Sequence, residues 1–237
     1  MTIWKGIVLK YKEIVPGIFI DRPNRFIANV WVNGERHAVH VRNTGRCKEI
    51  LISGTRVFLE KASENSKRKT GFSLISAYKG SRLINIDSQI PNALIYSALD
   101  NHALNIAEDI THLKREVTYQ HSRFDLFYGS NHETGFIEVK GVTLEEDRVA
   151  LFPDAPTIRG TRHILELIDA SKKGYKNYLI FLIQMKGVKY FKPNKKMDPD
   201  FFQALRAADK NGVYIRAYDC LVTNNTIKID QPVKVIL

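Results

Sequence analysis

Asp125, Glu138 and Lys140 lie in two short extended runs, "RFDLFY" and "GFIEVKGVT", joined by a polar, glycine-containing connection that reads as a hairpin. Strand side chains repeat with period two, so Glu138 and Lys140 share one face while Ile137 and Val139 share the other. If Tyr128 faces Gly135 across the turn, Asp125 falls opposite Glu138 and Arg123 opposite Lys140. Two carboxylates directly opposed on neighbouring strands repel. A divalent cation such as Mg²⁺ between them reverses the sign, because hard cations seek carboxylate oxygens. That arrangement is suited to metal-assisted chemistry on an anionic substrate. The same residues also fit a solvated strand face on which Glu138 and Lys140 form a weak surface pair. A one-residue slip of register would separate the acids, and on these residues alone both readings stand.

Charge indicates what such a site would act on. The chain has 237 residues, 36 Lys and Arg against 25 Asp and Glu, and a net charge of +11. Residues 1–83 hold 16 of the bases and 6 of the acids, a net of +10, and residues 84–237 are left with +1. So uneven a distribution suggests a polyanion-binding module joined to a nearly neutral one, with nucleic acid as the polyanion. Generic solubility charge would not concentrate in one segment.

The two segments also differ in the elements their patterns predict. Residues 1–83 hold short alternating runs. In "RFIANVWVNGERHAVHV" Asn33-Gly34 separates two such runs, a strong hairpin signal, and "TRVFLEKA" and "FSLISAYKGSRLINI" supply further strands. Several short strands in a basic segment fit a small β-barrel, and the OB-fold is a barrel often used for nucleic acid. From residue 84 helices alternate with strands. "PNALIYSALDNHALNIAEDI" reads as a helix with Pro91 near its start, and "YLIFLIQM" as a central strand covered on both faces. "DPDFFQALRAADKNG" has Asp198 at the N-cap, Pro199 at the first helical position and Gly212 at the stop. The expectation is a mixed α/β domain over 84–237 behind a β domain over 1–83.

A helix over 158–173 follows the Glu138 strand and carries Arg159, Arg162, His163 and Glu166 opposite an apolar face. Two arginines around His163 suggest phosphate contact, although a lone helical histidine is more often structural. With Arg22, Arg25, Arg46, Lys67, Arg68 and Lys69 from the basic segment, these residues are the candidate DNA contacts. Phe26 and Trp31 lie among the bases; core packing is the commoner role for either, and stacking on bases the alternative. Asp154 is a third acid near the hairpin in sequence.

"RPNRF", "NTGR", "KRK", "SRFD", "IEVKGVTL" and "FPDAPTIRGTRH", in this order over nearly the whole chain, resemble the sugar fermentation stimulation protein family, SfsA. The resemblance implies an N-terminal OB-fold and a C-terminal domain similar to the PD-(D/E)xK nuclease superfamily. It also implies DNA binding and a role in regulating sugar, chiefly maltose, metabolism. It puts the superfamily's metal-binding Asp on Asp125 and its (D/E)xK pair on Glu138 and Lys140. In such sites the acids hold Mg²⁺ and the lysine orients or activates water. One departure bears on cleavage. Where the family has Asn-x-Leu-x-x-Glu-Ala, this chain has "NALIYSA", with Ser97 at the acid position. Arg162 for lysine, and Cys47 in a stretch usually ending in Met, are milder changes.

DNA binding with a nuclease-like metal site is therefore the expected function, and Mg²⁺-dependent cleavage of phosphodiester bonds the alternative. A sugar-metabolising enzyme ranks behind both, for want of a nucleotide loop such as GxxxxGK[ST] or another cofactor motif. Lysines interrupt the N-terminal stretch "MTIWKGIVLKYKE", and no run approaches the length of a membrane span. Two cysteines far apart, Cys47 and Cys220, make no disulfide framework, and a cytoplasmic protein is expected.

Overall fold

A computed structural model describes residues 7–43, 45–63, 69–107 and 109–237. After β1 (Val8–Lys10), five strands build a barrel: β2 (Ile14–Asn24), β3 (Ile27–Val32), β4 (Glu35–Val41), β5 (Arg56–Lys61) and β6 (Phe72–Lys79). Their order is β4-β3-β2-β5-β6, and β4 closes the ring against β6 through His40–Ser73 and Val41–Leu74. The β3–β4 hairpin turns at Asn33 and Gly34 with φ of 50° and 85°. This is the doubly positive turn that the Asn-Gly pair predicts.

β7 (Arg82–Asn85) extends the barrel sheet beyond β6 and leads to α1 (Ile90–Asp100). There follow β8 (His112–Tyr119), β9 (Ser122–Gly129), β10 (Thr134–Val142), β11 (Leu144–Glu146) and β12 (Val149–Phe152), then α2 (Ile158–Lys172). The chain ends with β13 (Tyr178–Ile183), β14 (Tyr190–Pro193), α3 (Pro199–Lys210), β15 (Tyr214–Val222) and β16 (Thr226–Pro232). The main sheet has the order β1-β16-β15-β13-β10-β9-β8, with β10, β13 and β15 parallel, and β11, β12 and β14 form a small side sheet. Every residue of β13 is buried, as its unbroken apolar run predicts for a strand covered on both faces. One apolar cluster lies under α1; a larger one runs without a break from the barrel interior to α2 and α3. The barrel and the α/β layers match the expected fold class.

Several details differ from the sequence reading. β7 continues past residue 83, and β1 leaves the basic segment to pair with β16, so neither strand respects a boundary at 83/84. The first helix stops at Asp100, ten residues short of its apolar pattern. Asn101 forms the C-cap and His102 has φ 52°, a conformation that ends a helix. Asp198 caps α3 as expected, accepting from the Phe201 N–H, and Thr157, not singled out from sequence, caps α2 by accepting from the Gly160 N–H. Among the described residues no helix is long and apolar enough to cross a membrane.

Register across the hairpin is set by Gly135, which pairs with Tyr128. A Cβ there would stand 1.6 Å from the Lys176 carbonyl oxygen, and no side chain can yield that space because the obstacle is backbone. Gly135→Ala is expected to cost at least about 3 kcal/mol, since β10 must part from the segment entering β13. A urea midpoint within error of the wild type would refute that close approach.

Candidate functional site

The register that places Gly135 opposite Tyr128 brings Asp125 and Glu138 to the same end of the hairpin. The β9–β10 ladder closes at Leu126–Ile137, one residue short of the acids. Across the other edge of β9, the β8 ladder skips the Glu116–Asp125 pair, and Glu116 has φ 54°. Alternation breaks here too. Leu126 packs in the cluster under α1, whereas Phe124 lies 5.1 Å from Phe136 and 5.9 Å from His163 on the α2 side. Asp125 thus sits where the strand twists between faces, and β9 and β10 splay beyond it. Arg123, expected opposite Lys140, instead forms an exposed pair with Glu116 at 3.6 Å.

Each acid has its own partners. Asp125 accepts from the Val139 N–H at 2.7 Å through Oδ2 and from Asn92 Nδ2 at 2.5 Å through Oδ1. Burial first, then the charge of Glu138, push its carboxyl up to about 6, against the opposing pull of Val139, Lys140 and Asn92. Glu138 is 2% exposed, and its Oε1 receives both Lys140 Nζ and His163 Nδ1, the latter at 2.7 Å. Burial alone would raise its carboxyl, but Lys140 and His163 outweigh it and hold Glu138 below the ordinary range. Its other oxygen, Oε2, is buried without a hydrogen-bond partner. A buried carboxylate oxygen left bare is costly unless something cationic completes it. The donor set is therefore two carboxylates of hard oxygen beside a lysine, the chemistry a Mg²⁺- or Ca²⁺-type ion takes. Among the described residues no group of three His, Cys, Asp or Glu side chains is placed to hold an ion, so water or substrate oxygens would have to fill the positions that two carboxylates leave.

α2 brings His163 to the site from the opposite layer. Its side chain is 3% exposed, and Nε2 accepts from Arg159 Nε at 3.3 Å, which puts the ring hydrogen on Nδ1, facing Glu138. His163 is thus not a phosphate contact: it is buried and its donor is spent on the carboxylate. Arg22 is likewise no free base. Its two terminal nitrogens donate to the carbonyls of Arg25, Asn43, Gly45 and Arg46 at 2.6–2.9 Å, so these four backbone groups converge on the guanidinium. Asp154 accepts from the Arg46 N–H at 3.2 Å and ties this part of the barrel domain to the α/β domain. Arg25, Arg46, Lys69, Arg159 and Arg162 are exposed, while Lys67 and Arg68 lie outside the described residues.

Asn92 was missed from sequence. It lies in the first turn of α1, where an amide gives no pattern of its own. Its place at the head of "NALIYSA" was the available signal. Ser97, five residues on, lies about 140° further round the helix. α1 therefore meets Asp125 through Asn92.

Two family models match, "SfsA N-terminal OB domain" over residues 20–86 and "Sugar fermentation stimulation protein RE domain" over residues 89–226. A sugar fermentation stimulation protein homolog of Alkaliphilus oremlandii is 52% identical over 223 residues, covering 92% of this chain and 95% of its own. Its counterpart in Ruminiclostridium cellulolyticum is 53% identical over 229 residues, covering 97% and 100%. Among solved structures, Pyrococcus furiosus SfsA in complex with Ca²⁺ superposes with a TM-score of 0.88 at 28% identity, covering 97% of this chain and 98% of that one. With both of its domains matched in order and half its residues shared with such relatives, the chain belongs to the sugar fermentation stimulation protein family.

Proposed function

We propose that this protein binds DNA and holds a divalent cation, Mg²⁺ in the cell, between Asp125 and Glu138. The observation that carries the reading is the buried, unpartnered Oε2 of Glu138 beside a second carboxylate. The Ca²⁺ complex of the Pyrococcus furiosus relative supports a hard-cation site in this fold. Support for nucleic acid comes from the basic first third and the OB domain, together with exposed Arg25, Arg46, Lys69, Arg159 and Arg162. A cation bound at the acids supplies positive charge able to draw and polarise a phosphodiester. The chain's own residues do the rest. His163 and Lys140 fix Oε1 of Glu138, Asn92 and the Val139 N–H fix Asp125, and the arginines at the start of α2 meet the phosphate backbone. A role in regulating sugar use, which the family name suggests, would follow from DNA binding rather than from chemistry at the acids. The two cysteines, both free and buried, accord with a reducing cytoplasm.

Phosphodiester cleavage is the second reading, favoured by the Asp125, Glu138 and Lys140 constellation itself. Incubation of plasmid and single-stranded DNA with the protein in Mg²⁺, Mn²⁺ or EDTA decides it. With Ser97 at the family's acid position, weak turnover is expected. In Lys140→Ala the buried Glu138 loses a counter-charge, and stability should fall by about 3–5 kcal/mol. Strong Mg²⁺-dependent cutting by the wild type, lost in Lys140→Ala at unchanged melting temperature, would make the nuclease the better reading.

Mg²⁺ or Ca²⁺ should raise the melting temperature by several degrees, since an ion at a hundredfold its dissociation constant stabilises by about 2.7 kcal/mol. Asp125→Asn should abolish the rise. Identical melting curves in EDTA and in either cation would sink the site.

In EDTA the acids also predict a pH dependence. Folding raises the carboxyl of Asp125 from 3.8 to about 6, so the folded state holds that proton more tightly than the unfolded chain. The stability this confers is full below about pH 4 and is lost as pH rises through about 6. Asp125→Asn cannot ionise, and above pH 6 it should exceed the metal-free wild type by up to about 2–3 kcal/mol. Urea unfolding at pH 4.5 and 7.5 measures the difference; a gap that does not widen with pH would contradict it.

A further inference from the structure

Strand register sets Arg56, Ile18, Trp31 and Arg36 in one row across β5, β2, β3 and β4. Directly paired residues project to the same side of a sheet. Their chain neighbours Val57, Phe19, Val30 and Val32 are buried in the barrel, so the row stands on its outer surface. Ile18 is 41% and Trp31 47% exposed. The Arg56 guanidinium lies 4.2 Å over the Tyr78 ring and extends the row to β6. On the β2–β3 turn Arg25 lies 4.8 Å over the exposed ring of Phe26. One acid intrudes: Asp21, 3.9 Å from Arg36 and bonded by Asn29.

An open indole beside an open aliphatic side chain, with a guanidinium at each end, has a definite complement. The indole face stacks on any nucleobase, and the arginines suit the phosphates on either side of it. Neighbouring strands lie about 4.8 Å apart, so the two arginines stand about 14 Å apart, room for an unstacked base with its flanking phosphates. Duplex bases are already stacked on one another and cannot lie flat on such a surface.

We propose that this row is a stacking platform for single-stranded nucleic acid, with Trp31 and Ile18 beneath a base and Arg36 and Arg56 on neighbouring phosphates. It rests on the nucleic-acid part of the function proposed above and needs no cation at Asp125 and Glu138.

The test is equilibrium binding of the full-length protein to a labelled oligothymidylate and to a duplex of equal length, in EDTA, over a range of salt. Trp31→Ala should weaken single-strand binding about tenfold or more while leaving the salt slope unchanged, because no phosphate contact is lost. Trp31→Phe should keep most of the affinity. Arg36→Ala and Arg56→Ala should each flatten the slope by about 0.7. All these residues are exposed, so melting temperatures should hold and report folding independently. Wild-type binding that Trp31→Ala leaves unchanged would overturn the platform alone. Failure of the wild type to bind either nucleic acid would overturn the DNA-binding reading with it. A protein that dimerises, and becomes monomeric in Trp31→Ala with single-strand affinity unaltered, would mark the row as a self-association face and also overturn the proposal.

Discussion

Burying the Glu138 carboxylate is the constraint around which the α/β domain is arranged. A charge taken out of water needs partners of matching geometry, and removing one leaves the other exposed to a low-dielectric interior. Lys140 comes from the same strand two residues on, so β10 supplies it at no topological cost. His163 must come from another layer. Its position depends on the start of α2, where Thr157 accepts from the Gly160 N–H. That start is in turn fixed by Asp198, whose two oxygens accept from the N–H groups of Thr157 and Phe201. One buried aspartate thus caps α3 and anchors the entry to α2. A Cβ on Gly160 would meet Thr157 at 2.8 Å and the Phe201 ring at 3.3 Å, so the helices approach as closely as they do because that residue is glycine.

The site was legible in sequence where it follows from periodicity and illegible where it follows from packing. Asp125, Glu138 and Lys140 could be placed from strand alternation and a single assumption about the turn, and that register is the one formed. The Asn33-Gly34 turn, the β13 run and the Asp198 cap of α3 were local chemistry and were read directly. Arg22 and His163 show the limit. Composition counts an arginine as a free charge, but four backbone carbonyls converge on Arg22. Helical spacing put His163 among arginines, but only the layer packing turns its ring inward to Glu138. Asn92 and β1 have no pattern that names their partners, which lie 33 and more than 200 residues away in sequence.

The charge asymmetry suggested a binding module that could be cut from its neighbour. The packing argues against such a cut. Lys79 and Arg82 of the barrel sheet both close on buried Glu145 of the α/β domain, at 3.0 and 2.8 Å. Gln184, at the end of β13, donates to the Asn85 side chain and to the Asp87 carbonyl. Asp87 in turn receives Arg42 and Tyr11. A chain ending at residue 83 would divide β7 and remove the acid that neutralises Lys79 and Arg82. The barrel's charge and the carboxylate pair are therefore parts of one packed body, set at a fixed distance from each other.

The two acids differ in a way that bears on how the proposed cation site would work. Glu138 is already ionised by its partners, with one oxygen committed and one bare. Asp125 is poised near 6 because burial and the Glu138 charge oppose its ionisation while two neutral donors and Lys140 favour it. Environments that drive paired carboxyls apart in this way let one act as a standing charge and leave the other able to exchange a proton for a cation. A proton kept on Asp125 and a divalent ion held between the acids would then be competing answers to the same repulsion. The splay of β9 from β10 is what leaves room for either.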